Sequence, residues 1–237
     1  MKNLFKLSTL LILLVFATSC VFGGVKGDGN VVKEKKSIES NFSIVKVSQG
    51  IDVYLEQSNN VSFEAEMDKN ILELLDVIVE NNTLKISFKK NVGRRTKSNV
   101  YLKMPNITEF NVSSGAQIHS VNELNVKTIK LSASSGAELE LNLLAETIQA
   151  DASSGSDIDL KGKSKNLYLS ASSGSDIDTE HLLAEIVKAD ASSGSDIKTS
   201  ASVSLSAEAS SGGDIKCYGK PKETHIDKSS GGSVDIY

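Results

Sequence analysis

Apolar and polar residues alternate along most of this chain, and beyond residue 110 the alternation keeps step with a marker. The marker is a Ser-Ser-Gly tripeptide, with its glycine at Gly115, Gly136, Gly155, Gly174, Gly194, Gly212 and Gly231. Three places after each glycine stand Ile118, Leu139, Ile158, Ile177, Ile197, Ile215 and Val234. Five and three places before it stand Phe110 and Val112, Leu131 and Ala133, Ala150 and Ala152, Leu169 and Ala171, Ala189 and Ala191, Ala207 and Ala209. Ile129, Ile148, Leu167, Val187 and Leu205 lie seven places before. Apolar positions that step by two are the signature of strand, and helical spacing is absent.

The glycines are 18 to 21 residues apart. A unit of that length, holding two short strands and a corner, cannot bury its own apolar face, so neighbouring units must stack and share one core. The sequence therefore predicts an all-β chain built as a parallel β-helix, a β-solenoid of about 19-residue coils with each strand about 4.8 Å from its copy in the next coil. Coils of this length without a strict hexapeptide rule lean towards right-handed winding. Glycine suits the corner, where a positive φ is needed, and the paired serines are small enough to sit beside it and bond nearby backbone or the serine one coil away. Alanine in the inward columns predicts a narrow core. Lys228 and Thr224 replace inward apolar residues in the last copy, so residues 220 to 237 read as the cap that a solenoid end requires.

Upstream, VKVSQGIDVYL places Val45, Val47, Val53 and Leu55 around Gly50 in the register of the later coils, as a degenerate first coil. VSFEAEM, LDVIVE, LKISFKK and SNVYLKM read as further strands, with an Asn81-Asn82 hairpin turn and one short helical turn within 69–75. The domain division expected is a signal peptide over 1–19, a flexible tether over 20–37, a less regular β region over 38–110 continuous with the solenoid, and the repeat with its cap over 111–237. A separate small β domain is the alternative for 38–110.

The first twenty residues change the picture. Lys2 and Lys6 flank the apolar run LSTLLILLVFA, which ends in ATSC, so the start reads as a secretory signal peptide. Ala17, Thr18 and Ser19 before Cys20 resemble a relaxed bacterial lipobox, which makes Cys20 the lipidated N-terminus of the mature chain. Ordinary secretion and a retained anchor helix are the alternatives, although the run is short for a transmembrane span. Cys217, in an inward column, is then left without a disulfide partner and reads as a buried, inert thiol. A net charge of −4 in an exported chain speaks against nucleic acid.

Candidate chemistry is sparse. Glu138, Asp157, Asp176, Asp196 and Asp214 all lie two places after a glycine, so stacking lines five carboxylates into a ladder that offers oxygen to calcium or another ligand. The competing reading is a solvated face that keeps the rod soluble. Asp159 and Asp178 beside this row are the paired carboxylates a glycosidase would use, but repetition alone explains them. His119, His181 and His225 occupy unrelated coil positions and read as surface residues. The basic segment around Lys89, Lys90, Arg94, Arg95 and Lys97 offers contact with anionic headgroups, against a solvated hairpin tip.

The SSGSDI repeat, SQGIDVYL, LKISF and the lipidated start together resemble the head GIN domain family, described as auto-transporter adhesins of bacterial cell envelopes, over roughly residues 40 to 237. The resemblance implies a β-helical domain, often on a secreted lipoprotein, with adhesive, polysaccharide-binding or lipid-binding roles and no catalytic residues to carry over. The expected protein is a non-enzymatic envelope module anchored to the outer membrane on its periplasmic face or at the cell surface, binding polysaccharide or another envelope component. A polysaccharide lyase or hydrolase and a lipid-binding envelope protein are the competing readings.

Overall fold

A computed structural model describes residues 23–237; the segment read as a signal peptide and Cys20 lie outside the described residues. The chain begins with β1 (Val31–Lys36), β2 (Ile44–Val47), β3 (Asp52–Gln57) and β4 (Ser62–Asp68). One helical turn, α1 (Lys69–Leu72), leads to β5 (Leu75–Glu80), β6 (Thr83–Phe88), β7 (Ser98–Met104), β8 (Glu109–Ser113) and β9 (Gln117–Ser120). The repeat then runs through β10 (Leu124–Ser134), β11 (Glu138–Ser153), β12 (Asp157–Ser172), β13 (Asp176–Asp178) and β14 (Leu182–Ser192). It ends with β15 (Asp196–Thr199), β16 (Ala201–Ser210), β17 (Asp214–Cys217), β18 (Glu223–Lys228) and β19 (Ser233–Ile236).

The strands form a β-solenoid whose coils pair in parallel and in register. On the first face Phe110, Leu131, Ala150, Leu169, Ala189 and Ala207 stack as one column. On the second face Ile118, Leu139, Ile158, Ile177, Ile197, Ile215 and Val234 do the same. All of these side chains are buried. Period-two patterning thus fixes which side chains face in, and equal coil length fixes which ones meet.

At the corner between the faces, the glycine and the serine before it both adopt left-handed backbone, for example Ser173 at φ 56° and Gly174 at φ 67°. A non-glycine residue there carries a strain of roughly 1–2 kcal/mol. A Cβ built on the corner glycines of the repeat would meet nothing within 4 Å, so glycine is favoured there by its φ alone. The corners from Gly115 to Gly194 are each tied to the next coil by a backbone bond, such as Gly155 N–H to the Ser173 carbonyl at 3.2 Å. The side-chain bonds come from a residue other than the expected serine pair. Ser156, Ser175 and Ser195, directly after the glycine, are buried and donate through Oγ to the carbonyls of Ala133, Ala152 and Ala171 one coil back, each at 2.9 Å.

The N-terminal part belongs to the same solenoid, but its order in space departs from its order in sequence. The β2–β3 coil lies in register with β8–β9 on one side, as expected for a degenerate coil, and with β6–β7 on the other. Beyond β6–β7 the direction reverses: β5 pairs antiparallel with β6 through the Asn81-Asn82 turn, β4 antiparallel with β7, and β1 antiparallel with β4.

β1 corrects the expectation of a flexible tether. Its glycine- and lysine-rich surroundings read as linker, yet Val31–Lys36 pairs along its whole length with β4. Ahead of it, Val25 N–H donates to the Asn91 carbonyl and Gly27 N–H to the Arg94 carbonyl, both at 2.9 Å. Gly27 is glycine for space: a Cβ there would lie 2.5 Å from Asp68 Oδ1.

At the other end Thr224 and Lys228 pair with Leu205 and Ala209, and β18 is exposed along its length. Cys217 is buried and free, and burial pushes its thiol up from the ordinary value.

Candidate functional site

On the second face the residue three places after each corner glycine points inward, so the residues two and four places after it point to solvent. In-register pairing places Glu138, Asp157, Asp176, Asp196 and Asp214 on consecutive coils, the carboxylate ladder expected from the sequence. A second ladder runs beside it through Tyr101, Tyr54, His119, Glu140, Asp159, Asp178, Lys198 and Lys216. Between the two lies a shallow trough of about 430 Å³, walled mainly by Asp157, Asp159, Asp176, Asp178 and Asp196 and closed at one end by Lys198.

Its electrostatics follow from the stacking. Partial burial raises Asp176 above the usual carboxylate value, and the like charges of Asp196 and Asp157 add to that. Asp159 is likewise raised by burial and by Asp178 and Glu140. Lysines border the trough. Glu140 is held low by its bond to His119 at 3.2 Å and by Lys161 at 3.4 Å. Lys198 bonds Asp178 at 3.2 Å, and Lys216 bonds Asp214 at 2.9 Å. The result is a row of hydrogen-bond acceptors of one sign, bounded by positive charge.

Among the described residues no three His, Cys, Asp or Glu side chains converge as a metal-holding group. A ladder on an open sheet sets carboxylates side by side, whereas calcium needs oxygens gathered around one point. Asp159 and Asp178 are adjacent rungs of the same sheet. They do not face each other across a bond-sized gap, which is what two-carboxylate glycoside chemistry requires.

The aromatic part of the second ladder escaped the sequence reading. Tyr54 stacks on Tyr101 at 5.4 Å and on His119 at 5.6 Å, and Lys33 lies 4.6 Å from the Tyr101 ring centre. These residues come from β7, β3 and β9, whose adjacency depends on the out-of-order packing, and no period in the sequence signals it. His119 is therefore engaged and partly buried, in contrast to the surface residue expected; His181 and His225 are exposed.

The basic segment divides. Arg95 turns inward, donating to the Gln49 carbonyl at 3.0 Å and to that of Gly50, with its guanidinium over Phe88. Lys97 pairs with Glu66 at 3.0 Å. Lys89, Lys90 and Arg94 stay exposed. Neither Arg95 nor Lys97 is therefore a free surface cation. Beneath the loop lies fully buried Asp68, whose carboxylate accepts N–H bonds from Gly29 (2.7 Å), Thr96 (2.8 Å) and Lys97 (3.2 Å). Burial alone would raise Asp68; these backbone donors outweigh it and hold the group low.

No helix among the described residues is long and apolar enough to cross a membrane. No curated protein matches the sequence. Solved structures do: a putative adhesin from Bacteroides fragilis NCTC 9343 superposes with a TM-score of 0.83 at 19% identity, covering 90% of this chain and all of that one. A putative adhesin from Parabacteroides distasonis ATCC 8503 gives 0.77 at 18% identity, with 90% of this chain and all of that one covered. A protein from the same organism, described as a putative lipid binding protein, gives 0.69 at 19% identity, with 90% and 99% covered. At these identities the likeness concerns the fold. The sequence profile described as "Putative auto-transporter adhesin, head GIN domain" matches residues 41–221, and this chain belongs to that family.

Proposed function

We propose that the protein is a non-catalytic binding module of the cell envelope, exported and anchored through lipid on Cys20, which holds polysaccharide along its second face. The observation that carries this reading is the pair of in-register ladders flanking one trough across consecutive coils. A surface that repeats at each coil presents the same acceptors to successive units of a polymer. Carboxylates accept hydrogen bonds from sugar hydroxyls and attract ammonium groups, so the trough favours neutral or amine-bearing polysaccharide and repels uronate-rich chains.

A lipid-binding role, which one structural relative carries in its description, has weaker support here: exposed Leu144 and Leu183 on the return segment are separated by the rung of Lys163.

The test is a panel of neutral, amine-bearing and uronate-rich polysaccharides incubated with the full chain, with and without calcium. Binding to the first two classes is expected, independent of calcium. Replacing Asp157, Asp176 and Asp196 with Asn together should weaken it roughly tenfold or more, as charge-assisted bonds become neutral ones. Unchanged binding in that variant sinks the assignment of the face. Release of new sugar ends from any polymer sinks the non-catalytic reading.

A further inference from the structure

In the β6–β7 coil a longer loop stands where the repeat has its tight Ser-Gly corner. From Leu84 to Val100 the β6–β7 coil takes twice as many residue steps as from Leu131 to Leu139, and the excess forms the loop from Lys89 to Lys97. The described N-terminus is bound to this loop by three backbone bonds at 2.9 Å: Val25 N–H to Asn91, Gly93 N–H to Val25, and Gly27 N–H to Arg94. Asp68 locks the far side of the same knob through Gly29, Thr96 and Lys97. The knob carries Lys26, Lys89, Lys90 and Arg94 exposed, none of them within ion-pair distance of a carboxylate among the described residues. Asp28 is the one acid on the two paired segments.

We infer that this knob docks on a membrane surface bearing anionic headgroups and sets the solenoid down on it by its N-terminal end. The inference rests on lipidation of Cys20, and chain length provides the rest of the argument. Only four residue steps separate Cys20 from Gly24, which sits against Gly93, so the two are at most roughly 14 Å apart whatever path the chain takes. A flexible tether of 17 residues would have an end-to-end distance of roughly 23 Å and leave the rod free. The short span holds the four cations near the Debye length of about 8–10 Å, where their attraction to a negative surface persists. Val25, about a third exposed at the tip of the pairing, adds an apolar contact. A membrane is favoured over a soluble anion because the cations are spread over two segments: of the four, Lys26 and Arg94 line an open cleft whose wall also carries Asp28, and Lys89 and Lys90 lie outside it.

The test uses the full, acylated chain with Asn91→Cys carrying an environment-sensitive dye; native Cys217 is buried and stays unlabelled. The protein is reconstituted in vesicles of phosphatidylcholine alone or with phosphatidylglycerol, each containing a headgroup-borne quencher. Strong quenching on the anionic vesicles, lost in molar salt, is the expected result. Each neutralisation, Lys26→Gln, Lys89→Gln, Lys90→Gln or Arg94→Gln, should lower the docked-to-free ratio about fivefold, and unchanged melting temperatures confirm the fold. Equal quenching on neutral vesicles, or no response to the four changes combined, overturns the docking surface. Mass spectrometry of the purified chain reads Cys20 separately: an unacylated cysteine overturns the anchor reading and with it the close geometry, whatever the quenching shows.

Discussion

The two halves of the solenoid solve the same packing problem with different materials. In the N-terminal half the core is filled by Phe42, Phe63, Phe88, Phe110, Met67 and Met104, and the outermost strands run antiparallel. Between Gly136 and Gly212 the two inward columns of the first face nearest the corner are alanine except for Leu169 (Ala150, Ala152, Ala171, Ala189, Ala191, Ala207 and Ala209), and every strand pairing is parallel. The alanine-lined half can be thin because its shape is imposed by corners and ladders that repeat. The aromatic half must close an end, and reversing strand direction while lining the edge with Lys33, Glu34, Lys35 and Lys36 stops further pairing there. Regularity lets a small core suffice, and irregularity has to be offset by side-chain volume.

Four experiments sharpen or break that contrast. Phe110→Ala, at the junction of the two halves, should cost about 3–5 kcal/mol in urea unfolding, since the fully buried ring leaves a cavity its neighbours cannot fill; a cost below 1 kcal/mol would mean that the wide section collapses as easily as the thin one. Asp68→Asn should cost about 3 kcal/mol, because the amide brings a donor to an oxygen position where backbone N–H groups already point. Protease cleavage near residues 24–30 should accompany the loss if the clasp is what holds that segment. Ala189→Leu, in the same column as Phe110, should cost about 2 kcal/mol by overpacking; a neutral result would show spare room in the narrow half.

The smallest effect expected is a difference in pH response. Asp176 is raised, so the folded protein binds its proton more readily than the unfolded chain, and stability rises as pH falls towards the ordinary value of 3.8. Asp68 is lowered, so its contribution is complete above that value and is lost as pH falls below it. Melting temperature against pH should therefore climb and then drop on acidification. Asp176→Asn should flatten the climb and Asp68→Asn the drop; the reverse assignment would refute the account of both sites.

Much of this was legible in the sequence because repetition copies geometry: once Gly155 and Gly174 mark the same corner, the partners of Ile158 and Asp157 follow. The acid ladder, the inward Cys217 and the Asn81-Asn82 hairpin were readable for that reason. What escaped notice depends on long-range pairing without a period. Tyr54 meets Tyr101 and His119 only because coils pack out of sequence order, and Val31–Lys36 looks like linker until β4 lies beside it. The positive φ of the second corner serine was hidden too, since serine is not the residue that backbone conformation predicts. Arg95 and Lys97 read as surface charge because nothing local reveals the Gln49 carbonyl or Glu66.

The nesting of the β2–β3 coil between β6–β7 and β8–β9 has a kinetic consequence. During synthesis this coil emerges early, yet its two flanks are delivered only when residues 83–104 and 109–120 arrive, so its sheets wait with both edges bare. Later coils need only the coil just made and can zip on one at a time. Refolding should accordingly nucleate in the distal coils or pause until the nested layer is enclosed.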